Sequence, residues 1–174
     1  MYRSIVVAIL AAVVSCGAYA AKKQVKPDYD VPVIEIKGIR LGMTSDDALQ
    51  IFGGTELNST FTIGEVGTES GIRPLTTYID GKLSTFFFSF DSTNFDRVLS
   101  AVLSKYPMTK CSNSAVQNRM GASFTQIECV LSSKDGIMTL RKYGKSINSG
   151  NLFLASNEVL ELRKQDAAKK SGDI

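Results

Sequence analysis

The length of 174 residues suits one domain of roughly 100–150 residues together with a targeting segment and a tail. Hydrophobic residues make up 44% of the chain and charged residues 21%, a balance that predicts a globular domain rather than a disordered one. The net charge of +3 is small and Lys and Arg are scattered, so nucleic acid is not an expected partner. The absence of histidine removes the most common general base and metal ligand.

The first twenty residues have the pattern of a signal peptide. Arg3 gives a basic start, and residues 5–14 form an unbroken apolar run. A run of about ten residues is too short to cross a bilayer but fits a signal-peptide core. Ala18-Tyr19-Ala20 then places small residues where a signal peptidase reads them. We therefore predict that residues 1–20 are removed before Ala21 and that the protein is exported, to the periplasm or outside the cell.

A competing interpretation of the leader concerns Cys16. The segment Val13-Val14-Ser15-Cys16 loosely matches a lipobox, in which the cysteine is lipidated and becomes the mature N-terminus. Val in place of the usual Leu, and the small-residue site just downstream, favour simple cleavage. Membrane association is expected only if Cys16 carries a lipid.

The two remaining cysteines, Cys111 and Cys129, are predicted to form a disulfide in an oxidising compartment. Turn-like residues 118–121 lie midway between them, with β-prone stretches on each side. Because paired residue numbers in an antiparallel hairpin have a constant sum, a turn near Met120 sets Cys111 roughly opposite Cys129. The C-x-x-C spacing of a redox-active pair is absent, which favours a structural bridge.

A tether, a strand and a short helix are predicted next. Residues 21–32 are Lys-rich and contain two prolines, which is typical of a flexible linker. Residues 33–37 alternate in polarity and predict a strand. Thr44 and Asp47 have the spacing of a helix N-terminus, and Gly53-Gly54 predicts the helix end.

From residue 60 to residue 90 the pattern is that of β structure. Residues 61–63 predict one strand, and Asp80-Gly81 is a strong signal for a hairpin turn between two more. Alternation in the second of these strands places three rings on one face, which are Phe86, Phe88 and Phe90. Phe87 falls on the opposite face and is expected to face outward.

The clearest helix is predicted over residues 95–106, where apolar residues recur at helical spacing after a capping residue, Asp91. We expect this helix to cover the Phe-bearing face of the sheet. The cysteine hairpin follows, then a second turn at Asp135-Gly136 and a last strand at residues 152–154. Residues 157–174 are predicted to form a solvated helix that frays into a tail.

These elements predict an α+β fold. The sheet is largely antiparallel and built from hairpins, packed by one amphipathic helix and a shorter N-terminal helix. The domain is predicted to span residues 33–156, after a signal peptide (1–20) and a linker (21–32) and before a polar C-terminal helix or tail (157–174).

One local segment resembles a known family. Residues 38–44, followed by Asp47-Ala48-Leu49 and Phe52-Gly53, look like the helix start of the SmpA/OmlA-type outer-membrane assembly lipoproteins, and a similar unit occurs in β-lactamase-inhibitor proteins. The likeness covers residues 38–53, and the chain lacks the Pro that often follows the Gly in that pattern. More broadly, the chain resembles uncharacterised exported bacterial proteins. The resemblance implies a non-catalytic protein-binding module in the envelope, and no functional residues carry over from it.

No catalytic, cofactor-binding or metal-binding residues are predicted. The sequence has no P-loop and no G-x-S-x-G motif, and without histidine a serine triad cannot be built. Two acid pairs could act together, Asp46 with Asp47 and Asp91 with Asp96. All four stand at predicted helix starts, where a carboxylate interacts favourably with the helix dipole.

The predicted function is that of a non-enzymatic exported binding or envelope-assembly protein, whose partner is an unknown envelope protein. Its candidate contact residues are the aromatics Phe87, Tyr143 and Phe153. Two alternatives stay open at this point. One is a carboxylate-dependent glycan hydrolase, and the other is a small apolar ligand or lipid-binding protein with an apolar cavity beneath strand residues 86–90.

Overall fold

The computed structural model describes residues 33–52, 61–69 and 74–172. The predicted signal peptide, with Cys16, and the predicted linker lie outside these ranges, as does the helix stop at Gly53-Gly54. Among the described residues, no helix has the length and apolar character needed to span a membrane.

The architecture is α+β, as the sequence predicts. In chain order the elements are β1 (Glu35–Ile36), β2 (Ile39–Arg40), α1 (Ser45–Ile51), β3 (Leu75–Ile79), β4 (Lys82–Asp91), α2 (Phe95–Lys105), β5 (Lys110–Gln117), β6 (Ser123–Ser132), β7 (Gly136–Arg141), β8 (Ser149–Ser156) and α3 (Asn157–Gly172). A 3-10 turn, Ser92–Asn94, precedes α2. The large sheet has the strand order β3-β4-β8-β7-β6-β5, with every neighbouring pair antiparallel, and β1 and β2 form a separate ribbon.

The N-terminal elements are shorter than the sequence pattern suggested. The strand expected over residues 33–37 is only the two residues of β1, because Lys37 and Gly38 adopt φ of 51° and 86° and turn the chain back into β2. The helix start is confirmed, since the Thr44 hydroxyl accepts a hydrogen bond of 3.2 Å from the backbone N–H of Asp47.

The prediction of a strand over residues 61–63 was wrong. In this segment Ile63 makes a single isolated bridge with Val66, across a turn in which Gly64 and Glu65 have φ of 54° and 65°. Phe61 is apolar because it is buried in the core, and not because it belongs to a strand. Its ring lies edge-on to that of Phe86, with 5.5 Å between the ring centres. Burial in a loop produces the same short apolar run as burial in a strand.

The core is built on β4. Phe86, Phe88 and Phe90 have no exposed surface, and they share one buried core with the α2 side chains Phe95, Val98 and Val102. The shared face of the three rings confirms the sequence prediction, and the burial of α2 in the same core agrees with the expected position of that helix. A bulge between the pairs Thr77–Thr85 and Tyr78–Leu83 inserts one extra residue in β4, which keeps Leu83 buried on the core face as well.

The central neighbour of β4 is β8. Phe86 pairs with Leu154 and Phe88 with Leu152, and these two leucines are also fully buried. Phe90 pairs with Gly150, where a β-carbon would lie 2.5 Å from the Phe90 ring. Glycine is therefore required at this position to make room for the last ring of the core strand.

The predicted disulfide is present. Cys111 and Cys129 are directly opposite one another in β5 and β6, with their Cα atoms 3.9 Å apart. Cys129 is fully buried, whereas Cys111 lies at the exposed edge of the sheet. The second turn, between β6 and β7, and the last strand, β8, also form where the sequence predicts them.

We expect loss of the disulfide to destabilise the domain. Replacing both cysteines, in Cys111→Ser/Cys129→Ser, releases a loop with a sequence separation of 18 residues, and should lower the free energy of unfolding by about 3 kcal/mol, since the bridge restricts the unfolded chain. Urea unfolding followed by circular dichroism measures the change. The wild-type protein under strong reductant is the matched control and should give the same midpoint as the variant. Equal stability of the oxidised wild type and the variant would contradict the prediction.

Candidate functional site: the outer face of the sheet

The face of the large sheet opposite α2, called here the outer face, carries its own aromatic side chains. Phe87 of β4 is directly opposite Phe153 of β8, and Phe153 is in turn opposite Thr139 of β7. Both rings are half-buried, in contrast to the fully buried rings of the core face. The two residues are cross-strand partners and form part of an apolar patch on this face.

Helix α3 lies against part of this face. Its first turns contribute Leu160 and Arg163, and the Arg163 guanidinium stands 5.1 Å from the centre of the Phe153 ring, a cation–π arrangement. A groove of about 400 Å³ runs between helix and sheet. Its lining residues are Phe87, Ile137, Thr139, Arg141, Asn151, Phe153, Leu160 and Arg163.

A second aromatic cluster lies on the outer face beyond the groove. The rings of Tyr143 and Phe124 meet edge-on, with 6.0 Å between centres. Gln126 fixes the Tyr143 backbone, because its side chain accepts a bond of 2.9 Å from the Tyr143 N–H and donates one of 2.6 Å to the Tyr143 carbonyl. Phe124 and Gln126 share a strand face with Glu128, which pairs with the groove residue Arg141.

The three predicted contact residues therefore lie on one face of the sheet. Phe87 and Phe153 are adjacent in the groove, and Tyr143 stands apart from them. The ion pair between Arg141 and Glu128 occupies the space between the two clusters. Exposed ion pairs of this kind add little stability, so this pair mainly holds two long side chains in place on the face.

A hydrogen-bonded cluster on the same face was not predicted. The Glu69 carboxylate accepts bonds from the hydroxyls of Ser89, at 3.0 Å, and Ser149, at 2.8 Å, and the Glu69 N–H donates to the Ser89 carbonyl. Ser89 is only 3% exposed. The three residues are far apart in the chain, and no local pattern marks them. The cluster ties residue 69 to the end of β4 beside the outer face.

The acids of the two predicted pairs stand at the starts of helical segments, as expected from the sequence. The Asp91 carboxylate accepts bonds from the Thr93 hydroxyl at 2.7 Å and the Thr93 N–H at 2.8 Å, which lowers the pKa of Asp91 below its ordinary value. Asp46 and Asp47 lie in the first turn of α1. Among the described residues, no three cysteine or carboxylate side chains are grouped so that they could hold a metal ion.

One shallow depression, of about 440 Å³, has two carboxylate residues at its margin. These are Glu35 and Asp47, which share it with Arg40 and the start of α1. Glu35 also forms an ion pair of 3.1 Å with Lys105 of α2. The pair Glu35 and Asp47 was not among the acid pairs that the sequence suggested, since the two residues belong to different elements.

No protein-family model, curated protein or solved structure matches this chain. The likeness of residues 38–53 to the SmpA/OmlA-type lipoproteins therefore stays a prediction.

Helix α3 should depend on Leu160 for its position. Leu160 is half-buried in the groove, whereas Leu162 on the same helix is 47% exposed. We expect Leu160→Ala to weaken the docking of the helix and raise amide hydrogen exchange across residues 157–165 at least about tenfold, because it removes the leucine by which α3 lines the groove. Leu162→Ala is the matched control and should leave exchange unchanged. Equal effects of the two substitutions would show that the groove contact does not position α3.

Proposed function

We propose that this chain is an exported, non-enzymatic binding protein that acts through protein–protein contacts, with the outer face of the sheet as its contact surface. The observation that carries the proposal is the pair of half-buried rings, Phe87 and Phe153, in an open groove. Aromatic rings with arginine and polar neighbours are the typical composition of the centre of a binding surface. Arg141, Asn151 and Arg163 supply that polar surround.

Charge indicates the kind of partner. Residues 107–156, which include β5 to β8, contain six Lys and Arg residues but only two Asp and Glu residues, a net charge of +4. One of the two acids, Glu128, is engaged with Arg141. A partner with an acidic surface around an apolar centre would be complementary to this half of the sheet, and its association would weaken as salt is raised.

The disulfide supports the export part of the proposal. Disulfides persist in oxidising compartments, and the cytosol keeps such thiols reduced. The Cys111–Cys129 bridge is therefore what a protein of the periplasm or the exterior would carry. The partner is accordingly proposed to be an envelope protein, with the membrane involved only if Cys16 is lipidated.

A small-ligand role is the second candidate, and the groove is the observation that favours it. Its volume of about 400 Å³ is within the range of ligand pockets. Phe87, Phe153 and Leu160 would contact an apolar chain, and the two arginines would suit an anionic head group. The apolar cavity considered from the sequence was expected under residues 86–90, but this groove lies on the opposite side of β4, at Phe87.

For the glycan hydrolase alternative, the depression between Glu35 and Asp47 is a candidate site, because it has two carboxylates at its margin. One of these, Glu35, is already paired with Lys105. The outer face is the better supported site, because its two opposed phenylalanines and its polar surround are the composition of a binding surface.

Processing of the leader tests export directly. Mass spectrometry of the protein recovered from the envelope fraction should give a mature N-terminus at Ala21, because Ala18 and Ala20 occupy the positions that a signal peptidase reads. A lipid-modified N-terminus at Cys16 would establish the anchored form instead. Recovery of the unprocessed chain in the cytosol, with Cys111 and Cys129 open to alkylation, would refute export.

A substitution in the groove tests the contact surface. We expect Phe153→Ser to reduce recovery of a stoichiometric partner from envelope extract at least about tenfold, because it removes a central aromatic anchor. Leu162→Ser, at an exposed leucine of α3 that does not line the groove, is the matched control and should bind as the wild type does. A partner bound equally by both variants would place the contact elsewhere. If no partner is recovered and native mass spectrometry finds a lipid in the purified protein, the small-ligand role would be favoured instead.

A further inference from the structure

The free edge of β5 is a second feature that can bind a protein chain. Among the described strands β5 pairs only with β6, and that pairing runs without a shift from Lys110–Val130 to Gln117–Ser123. Side chains from Cys111 to Ala115 are exposed. Edge strands usually carry charges, a proline or a bulge that discourages further pairing. The one charged residue of β5 is Lys110, at its first position, and the strand contains no proline.

Two observations identify which backbone groups face the free edge. Asn118 donates its N–H to the carbonyl of Ala122 at 3.0 Å, so position 118 bonds across the hairpin. Cys111 and Cys129 have Cα atoms 3.9 Å apart, the close spacing of a pair that is not hydrogen-bonded. Because the pattern alternates, the residues that direct their N–H and C=O to the free edge are Cys111, Asn113, Ala115 and Gln117.

We propose that β5 pairs with β5 of a second copy of this chain, antiparallel, about a two-fold axis at Ser114. In a continuous antiparallel sheet, two directly paired residues point their side chains to the same side of the sheet. If the outer faces of both copies lie on one side of the joined sheet, each β5 residue must therefore pair with a β5 residue whose side chain is on the same face. An axis at Ser114 satisfies this condition and sets Cys111 opposite Gln117 and Asn113 opposite Ala115. All four outward-directed residues of each copy are then used, giving about eight hydrogen bonds, whereas an axis at Asn113 leaves Gln117 without an opposing strand residue.

The axis at Ser114 keeps the one charge of the strand away from its own copy. It puts Lys110 of the two copies at opposite ends of the pairing, about 27 Å apart at the rise of a β-strand. This separation is well beyond the screening length of physiological salt. Each Lys110 is level with the neutral Asn118 of the other copy, and Arg119 of that copy follows in the hairpin turn. Like charges therefore approach at the two ends, and dimerisation should strengthen as salt is raised.

The same register brings two exposed apolar turns together. Met120, in the turn at the tip of the β5–β6 hairpin, is 90% exposed, and Met108, in the turn just before β5, is 47% exposed. An axis at Ser114 sets the Met120 turn of one copy beside the Met108 turn of the other, at both ends of the pairing. A second copy of this chain supplies both methionines, which favours it over an unrelated strand.

The dimer goes beyond the proposed binding function and is independent of it. Pairing about this axis leaves both outer faces on the same side of a continuous sheet, which would double the contact surface and raise its avidity. A contact made by one strand is small, so the dimer should dissociate on dilution. If the protein is a monomer and still binds its envelope partner, only the dimer is refuted. If the protein is a dimer and its Phe153→Ser variant binds the partner as the wild type does, only the contact surface is refuted.

Cysteine crosslinking of the full chain, expressed with its leader, tests the register. In the proposed dimer Ser114 faces Ser114 of the second copy at a position without hydrogen bonds, where Cα atoms are close enough for a disulfide. Ser112 is the matched control on the same strand face, but it would be about 14 Å from its own copy, too far for a bridge. We expect Ser114→Cys to form at least about tenfold more disulfide-linked dimer than Ser112→Cys, with Cys111–Cys129 intact by peptide mapping.

Sedimentation tests the interaction without a crosslink. The wild-type protein should pass from monomer to dimer as its concentration rises. Ala115→Pro removes an N–H that faces the free edge and not β6, so it should give a monomer with an unchanged circular dichroism spectrum. A wild-type protein that stays monomeric at every concentration, Ser112→Cys linking as readily as Ser114→Cys, or a folded Ala115→Pro variant that still dimerises would each overturn the proposal.

Discussion

The burial of the three β4 phenylalanines in one core with the apolar face of α2 is the constraint on which the rest of the structure depends. Full burial of a phenylalanine side chain contributes about 1.5–3 kcal/mol, so the three rings form a large part of the core. Successive side chains of a strand point to opposite faces, and a slip of one residue would expose Phe86, Phe88 and Phe90 together. The register of β4 is thereby set, and with it the register of β8.

The outer face follows from the same constraint. With Phe86 and Phe88 in the core, Phe87 has to point to the other side, where it lies opposite Phe153 because Phe86 is already opposite Leu154. A ring on this side gains only partial burial, from the first turns of α3. The outer face is therefore an apolar surface that the core does not require, and a role in binding gives a reason for its aromatic residues.

The central strands and the edge strand β5 are stabilised by different interactions. Strands β4, β8 and β7 lie over the hydrophobic core, whereas most side chains of β5 are exposed and the strand is held by its partner and by the disulfide. The bridge joins the edge strand at Cys111 to the buried position of Cys129. This arrangement keeps β5 extended and ordered at the edge of the sheet, which lowers the entropy cost of adding another strand there.

The sequence by itself determined the elements whose signals are local. Turn residues such as Asp80-Gly81 mark a hairpin because few residues accept a positive φ, and the two cysteines are opposed because an antiparallel hairpin has a constant sum of residue numbers. The alternation in β4 and the helical spacing of α2 likewise depend on neighbours within a few residues. The strand expected at residues 61–63 failed for the same reason, since a short apolar run does not specify whether a neighbouring strand will be there.

Only the tertiary structure decided which elements meet. It placed β8 beside β4, although more than fifty residues separate them, and so brought Phe153 to Phe87. It also set the first turns of α3 against the outer face, which made the groove, and it left β5 at the edge of the sheet, where β6 is its one partner among the described strands. These outcomes depend on the total burial of apolar surface over the whole chain, a quantity that no local stretch of sequence contains.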